Sequence, residues 1–147
     1  MKLRKDQLGL YGFDRRTGLN ILVNEIQLPQ TEWDIGPRHL SIALTNACEL
    51  ACSFCYAPKS PHALRFDDVI SWCGEADTLG VLAVGFGGGE PTLFPRFAEL
   101  CAAVHSQTGL GVTMTTHGQR FSTELSVKLS GVVDFIRVSM DGLAAWG

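Results

Sequence analysis

The sequence predicts an α/β fold: an incomplete (β/α) barrel of about four parallel strands, preceded by a short N-terminal β-hairpin. Three observations predict it. Strand and helix patterns alternate from residue 38 onward, and glycines punctuate the units. The strands set an apolar face against a small or polar one. The chain, at 147 residues with 46% hydrophobic and 18% charged residues, is long and apolar enough to bury a core of its own.

The elements follow in order. Residues 8–26 read as a hairpin, with an apolar stretch through Tyr11 and Phe13, a turn at Asp14–Gly18, and a return over Asn20–Ile26. Residues 27–37, with Pro29, Gly36 and Pro37, form a connector, so 1–37 is one segment and 38–147 the α/β domain. His39–Thr45 is the first strand of the repeat, followed by a long loop through Phe66. Asp67–Leu79 is a helix capped by Asp67 or Asp68 and stopped by Gly80. Val81–Phe86 is the second strand, and Pro95 opens a helix to about Thr108. Gly111–Thr116 is the third strand, Ser122–Ser130 a helix closed by Gly131, and Val133–Met140 the fourth strand.

Alternation alone allows either a curled half-barrel or a flat doubly wound sheet. The faces favour the first. Leu40, Ile42 and Leu44 oppose Ser41, Ala43 and Thr45; Val112 and Met114 oppose Thr113 and Thr115; Ile136, Val138 and Met140 oppose Arg137 and Ser139. A parallel sheet covered on both faces reads as continuous apolar sequence, and a filled barrel interior is dominated by branched apolar side chains. A small and polar face instead lines a cavity.

A net charge of −3 gives no basic footprint for nucleic acid. The longest apolar stretches are too short to cross a bilayer, and the N-terminus lacks an apolar run of signal-peptide length. A cytoplasmic location, with no membrane partner, is the expectation.

Five cysteines are an odd number, and Cys48, Cys52 and Cys55 fall within eight residues. That spacing favours metal over a disulfide framework. The loop follows a strand, where α/β folds build sites. Structural zinc sites and conventional [4Fe–4S] clusters each use four protein ligands; three leave one position open. Cys73 falls in phase with Val69, Ile70 and Ala76, and Cys101 with Phe97, Leu100 and Val104, so both read as core residues. His62 is near enough in sequence to be a fourth ligand.

The run Cys48-Glu-Leu-Ala-Cys52-Ser-Phe-Cys55, with aromatic Phe54 before the last cysteine, resembles the signature of the radical S-adenosylmethionine (SAM) superfamily. Gly85–Pro91 (GFGGGEP) resembles its GGE motif, and THG and RVSMDG at the next two strand ends match its layout. The likeness covers residues 38–142. The preceding GLYGFDRRTGLNILVNEI resembles the lead-in of some members that modify peptides.

The resemblance implies a [4Fe–4S] cluster on Cys48, Cys52 and Cys55, its fourth iron chelated by SAM, and reductive cleavage of SAM to a 5′-deoxyadenosyl radical that abstracts hydrogen. A low-potential electron donor and a peptide or protein substrate are the implied partners. By the same resemblance Phe54 lies against the adenine, Gly88 and Gly89 admit the cofactor, Glu90 takes the methionyl amino group, and Ser139 holds the ribose or methionyl end with Asp141 assisting. Thr115, His117 and Arg137 face the cavity as substrate contacts. The superfamily's barrel usually has six strand–helix units, so the four here imply a fragment or a second chain that completes the wall. An iron–sulfur or zinc module without SAM chemistry is the alternative, as is a catalytically incomplete remnant.

Overall fold

The computed structural model describes residues 1–140. Asp141, expected to assist at the cofactor, lies outside them. Two sheets form. The first is antiparallel, in the order β1 (Lys2–Asp6), β2 (Gly9–Asp14), β3 (Leu19–Val23). The second is parallel, in the order β4 (His39–Thr45), β5 (Ala83–Gly88), β6 (Gly111–Thr116), β7 (Phe135–Val138). Helices α1 (Phe66–Thr78), α2 (Phe97–Gln107) and α3 (Thr123–Leu129) make the crossovers.

The strand order of the parallel sheet follows the chain without reversal. There is no switch point to send helices to the opposite face, as a doubly wound sheet requires. Ile42 and Leu44, Val84 and Phe86, and Val112 and Met114 pack beneath Val69, Cys73, Phe97, Leu100, Cys101 and Leu129 from the three helices. The other face is lined by His39, Ser41, Ala43, Thr113, Thr115 and Arg137 and encloses a cavity of about 790 Å³. The expected partial barrel is present. Among the described residues no helix is long and apolar enough to cross a membrane.

Several element boundaries differ from expectation, each for a local reason. The N-terminal sheet has three strands, because residues 2–6 pair with β2. Apolar alternation does not announce β1: its inward side chains are Lys2, Arg4 and Asp6, while Leu3 is exposed. Those cations meet the carbonyl ends of the crossovers. Lys2 Nζ donates to the Asp77 carboxylate and to the carbonyls of Asp77 and Val81, and Arg4 donates to Gly80 O. Arg15 donates to the carbonyl of His105 in the last turn of α2 and to those of Thr108 and Leu110 just beyond it. Orphaned C-terminal carbonyls and the negative end of the helix dipole reward such a placement. Phe13 lies under Gly111, where a Cβ would come within 3.0 Å of its ring.

Asp67 and Asp68 do not cap α1. Arg65 occupies that position with no side-chain cap, and the two acids sit in the first turn, where they favour the dipole only through charge. Pro95 does not open α2, because Arg96 is left-handed at φ 60° and separates it from the first helical residue. A 3₁₀ turn, Pro91–Leu93, precedes it. The second parallel strand begins at Ala83 and continues through Gly88, whose partner is Thr45. β7 is shorter than expected, and Ser122 caps α3 as a hydroxyl accepting from Leu125 N–H.

The sheets are tied together at Asp6. Its carboxylate accepts two hydrogen bonds from Arg38, at 2.9 and 3.0 Å, one from Arg4 Nε at 3.1 Å and one from Leu8 N–H at 2.9 Å. The Arg38 guanidinium above all holds this carboxyl well below the usual carboxylate range, against a desolvation that pushes it up. A carboxylate depressed in this way contributes its full stabilisation above the unfolded value near 4 and loses it as pH falls below that. Asp6→Asn is therefore expected to cost roughly 2–3 kcal/mol at pH 7, the worth of its charged hydrogen bonds. In urea titrations, the gap between variant and parent should narrow steadily below about pH 4. A gap that stays constant with pH contradicts the assignment.

Candidate cofactor site

The cysteine loop leaves β4 at Thr45 and returns to it through Ala63, which bridges Thr45. Asn46 N–H donates to His62 O, and Leu64 N–H to Leu44 O, so the loop is closed at its base by backbone bonds. Cys48, Cys52 and Cys55 all line the cavity, half-buried and free of disulfides. Lys59 Nζ stands 3.4 Å from Cys55 Sγ. The hydrogen bond to Cys55 and the nearby Cys48 and Cys52 hold its pKa above the ordinary lysine value.

Cys73 and Cys101 are fully buried in the core. Burial pushes their thiols up to about 11 and about 12. They remain protonated thiols, away from the cavity. His62 is exposed, with Nδ1 3.0 Å from Ser60 Oγ, and does not line the cavity. The histidine brought to the cysteine loop is His117: its ring nitrogen, Cys48 Sγ and the Glu49 carboxylate lie within 4.8 Å of one another. Glu49 and the closeness of His117 to Cys48 escaped sequence reasoning, since 68 residues separate the loop from the end of β6. Only tertiary structure carries that signal.

The GGE loop packs on the stem of the cysteine loop. Gly89 N–H donates to Thr45 O at 2.6 Å and Glu90 N–H to Ala47 O at 2.8 Å. Gly88 takes φ 115°, and a Cβ there would lie 2.3 Å from Thr45 O. Both glycines line the cavity, and what each admits in this structure is the neighbouring backbone.

Glu90 is completely buried. Its Oε1 accepts from Thr92 N–H (3.2 Å) and Thr92 Oγ1 (2.7 Å), Oε2 accepts from His117 N–H (3.1 Å), and Thr116 Oγ1 reaches both oxygens at 2.8 and 2.9 Å. A buried carboxylate survives only with such a donor set. His117 Nδ1 accepts from Gln119 N–H, leaving Nε2 as the protonated nitrogen of the neutral ring. Nε2 stands 3.3 Å from both Glu49 and Glu90, without the alignment of a hydrogen bond to either. Arg120 holds Glu49 at 3.2 Å. Burial pushes the Glu49 carboxyl up, and its own backbone N–H, the Arg120 guanidinium and the nearby His117 together carry it below its ordinary value.

Thr116→Val keeps the shape and removes the hydroxyl. Leaving the buried Glu90 short of that donor is expected to cost about 1.5–3 kcal/mol, read as a lower denaturation midpoint with unchanged slope. Parent-like stability would remove Thr116 from the network.

The remaining expected residues, Asp141 aside, line the same cavity. Phe54 lines the cavity from the cysteine loop and is 68% exposed, so no core packing accounts for it. Thr115, His117, Arg137 and Ser139 line it from the ends of β6 and β7. Ser139 N–H donates to Thr116 O, which fixes that strand end. His39, which sequence reasoning left unassigned, lies on the cavity face at the start of β4.

Three thiols at one end of a small-and-polar cavity form a soft donor set with one position short of four. That fits an iron–sulfur cluster with an open iron better than a closed zinc site. Comparison with known proteins decides the family. The model of the radical SAM superfamily matches residues 42–144. The chain belongs to the radical SAM superfamily. Superfamily members use a [4Fe–4S] cluster and SAM. Mycofactocin maturase MftC of Mycobacterium ulcerans is 35% identical over 116 residues, 74% of this chain and 30% of the relative. GTP 3′,8-cyclase of Chlorobaculum tepidum is 30% identical over 109 residues, 71% of this chain and 33% of the relative. Among solved structures, Streptococcus suis SuiB bound to S-adenosylmethionine superposes with a TM-score of 0.66 at 26% identity, over 74% of this chain and 26% of SuiB. SuiB bound to precursor peptide SuiA gives the same TM-score at 27% identity, over 74% and 25% of the two chains. This radical SAM chain thus spans about a third of the length of the curated relatives it matches.

Proposed function

We propose that this chain holds a [4Fe–4S] cluster on Cys48, Cys52 and Cys55 and leaves one iron open to SAM, for hydrogen abstraction from a peptide substrate. When bound and given one electron from a low-potential donor, cluster and SAM supply reductive cleavage to methionine and a 5′-deoxyadenosyl radical. The chain's own residues bind, orient and exclude water. Gly88 and Gly89 present bare backbone at the cavity edge beside the cysteine loop. Glu90, which the resemblance casts for the methionyl amino group, is completely buried and off the cavity lining, so it acts by holding the GGE loop. Ser139 is the polar group for the ribose or methionyl end, and Phe54 the surface for the adenine. Asp141 belongs to the same set by its place in the motif. The observation that carries the reading is the convergence of all three loop cysteines and the GGE loop on one cavity. The peptide rests on the complex of SuiB with its precursor peptide.

A mononuclear metal on Cys48, Glu49 and His117 is the second reading, favoured by their mutual approach within 4.8 Å. Anaerobic reconstitution followed by electron paramagnetic resonance separates the two. The proposal expects a reduced-cluster signal that changes when SAM is added. An unchanged signal leaves an electron-transfer module, and one bound zinc without iron supports the second reading.

A further inference from the structure

Paired strands place one cavity-facing side chain each at the same height, so the cavity face divides into rungs. Ser41, Gly85, Thr113 and Phe135 form one rung. One level nearer the cysteine loop, Ala43 pairs with Gly87 and Thr115 with Arg137. One level further from it stands His39, paired with Ala83.

The middle strand contributes no side chain at Gly85 or Gly87, which leaves a trough along the sheet. A Cβ at Gly85 would come 2.8 Å from His39 Cε1 and 3.1 Å from Thr113 Oγ1. The glycine is what lets the imidazole lie across the floor.

Away from the cysteines, the charged side chains described on this surface are cationic. The ionisable side chains lining the cavity besides the cysteines and Tyr56 are His39, Lys59, His117 and Arg137, and no aspartate or glutamate lines it among the described residues. Neither His39 nor Arg137 has a hydrogen-bond or ion-pair partner among those residues. Burial and the nearby Arg137 charge hold the His39 pKa below its ordinary value, so the imidazole already feels a cation that no acidic side chain among the described lining residues balances. A guanidinium whose donors have no partner among the described residues, on a cavity face without described acids, is a site for a planar oxyanion.

We propose that this floor is an anion subsite, in which Arg137, His39 and the Ser41 hydroxyl bind a carboxylate group of the substrate. The inference rests on the reading that SAM occupies the end of the cavity at the cysteine loop. His39 precedes Thr45 by six residues, roughly 20 Å along an extended strand, so a ligand held there leaves the cofactor end free. The substrate class is an acid, and the subsite fixes its carboxylate while the reacting carbon points toward the cysteine loop.

The test uses the reconstituted protein with histidines labelled at carbon, and glutarate as probe against neutral glutaramide. The His39 Cε1–H resonance, assigned with His39→Gln, should shift saturably with glutarate and stay in place with glutaramide. Arg137→Gln should weaken the glutarate response at least tenfold, Arg137→Lys should restore part of it, and the cluster signal of Arg137→Gln should still change with SAM. Equal shifts from glutaramide, or glutarate binding unaffected by Arg137→Gln, overturn the subsite. Loss of the SAM response in Arg137→Gln with iron retained assigns the guanidinium to the cofactor and overturns it equally. A parent protein that takes up no iron or ignores SAM strikes the proposed function instead, and the glutarate comparison still decides this one.

Discussion

Cys52→Ala is expected to leave the protein folded and without iron after anaerobic reconstitution, and with no response to SAM. The three loop cysteines have no reserve. Cys73 and Cys101, the other thiols of the chain, are fully buried with pKa values pushed up to about 11 and about 12, so neither supplies a thiolate to the loop. Two cysteines cannot hold a cube that already lacks one protein ligand. The fold should tolerate the change, because Cys52 sits on a loop and outside the core cluster. Iron analysis with far-ultraviolet circular dichroism checks both halves. Cys101→Ala is the counterpart: iron retained, stability lowered by lost packing alone. A full complement of iron in Cys52→Ala would remove the cluster from these residues.

The parts legible in the sequence were those with a repeating physical cause. Strand β6 emerged with its expected ends because Gly111 starts it and the alternation of Val112 and Met114 with Thr113 and Thr115 is unbroken. The cavity face was readable for the same reason, and so was the placement of Cys73 and Cys101 on the buried stripes of α1 and α2. Strand β1 was not legible. Its buried side chains are charged, and they are stabilised by helix-end carbonyls more than 70 residues away. The site divides along the same line. Motif residues at strand ends could be named, but the burial of Glu90 under Thr116, Thr92 and His117 depends on long-range contacts that no local pattern encodes. The role of Gly88 and Gly89 was half legible: close approach was expected of them, but the partner is the backbone of Thr45 and Ala47.

That partner makes Gly89→Ala a severely damaging substitution. A Cβ at Gly89 would stand 2.1 Å from Ala47 O, 2.7 Å from Ala47 C and 2.8 Å from Asn46 O. All three are backbone atoms, so no rotamer can relieve the contact. The GGE loop must separate from the stem of the cysteine loop, and the bonds from Gly89 N–H to Thr45 O and from Glu90 N–H to Ala47 O are lost with it. Overpacking together with two broken hydrogen bonds amounts to about 3–4 kcal/mol. Glu90 moves with the loop, so the SAM-dependent change in the cluster signal should vanish even where iron is still bound. Gly87→Ala supplies the contrast, since a Cβ there meets nothing within 4 Å and the stability should stay within about 0.5 kcal/mol of the parent. Urea midpoints for the pair measure the difference. If both variants unfold together, the clamp between the two loops is not what those glycines provide.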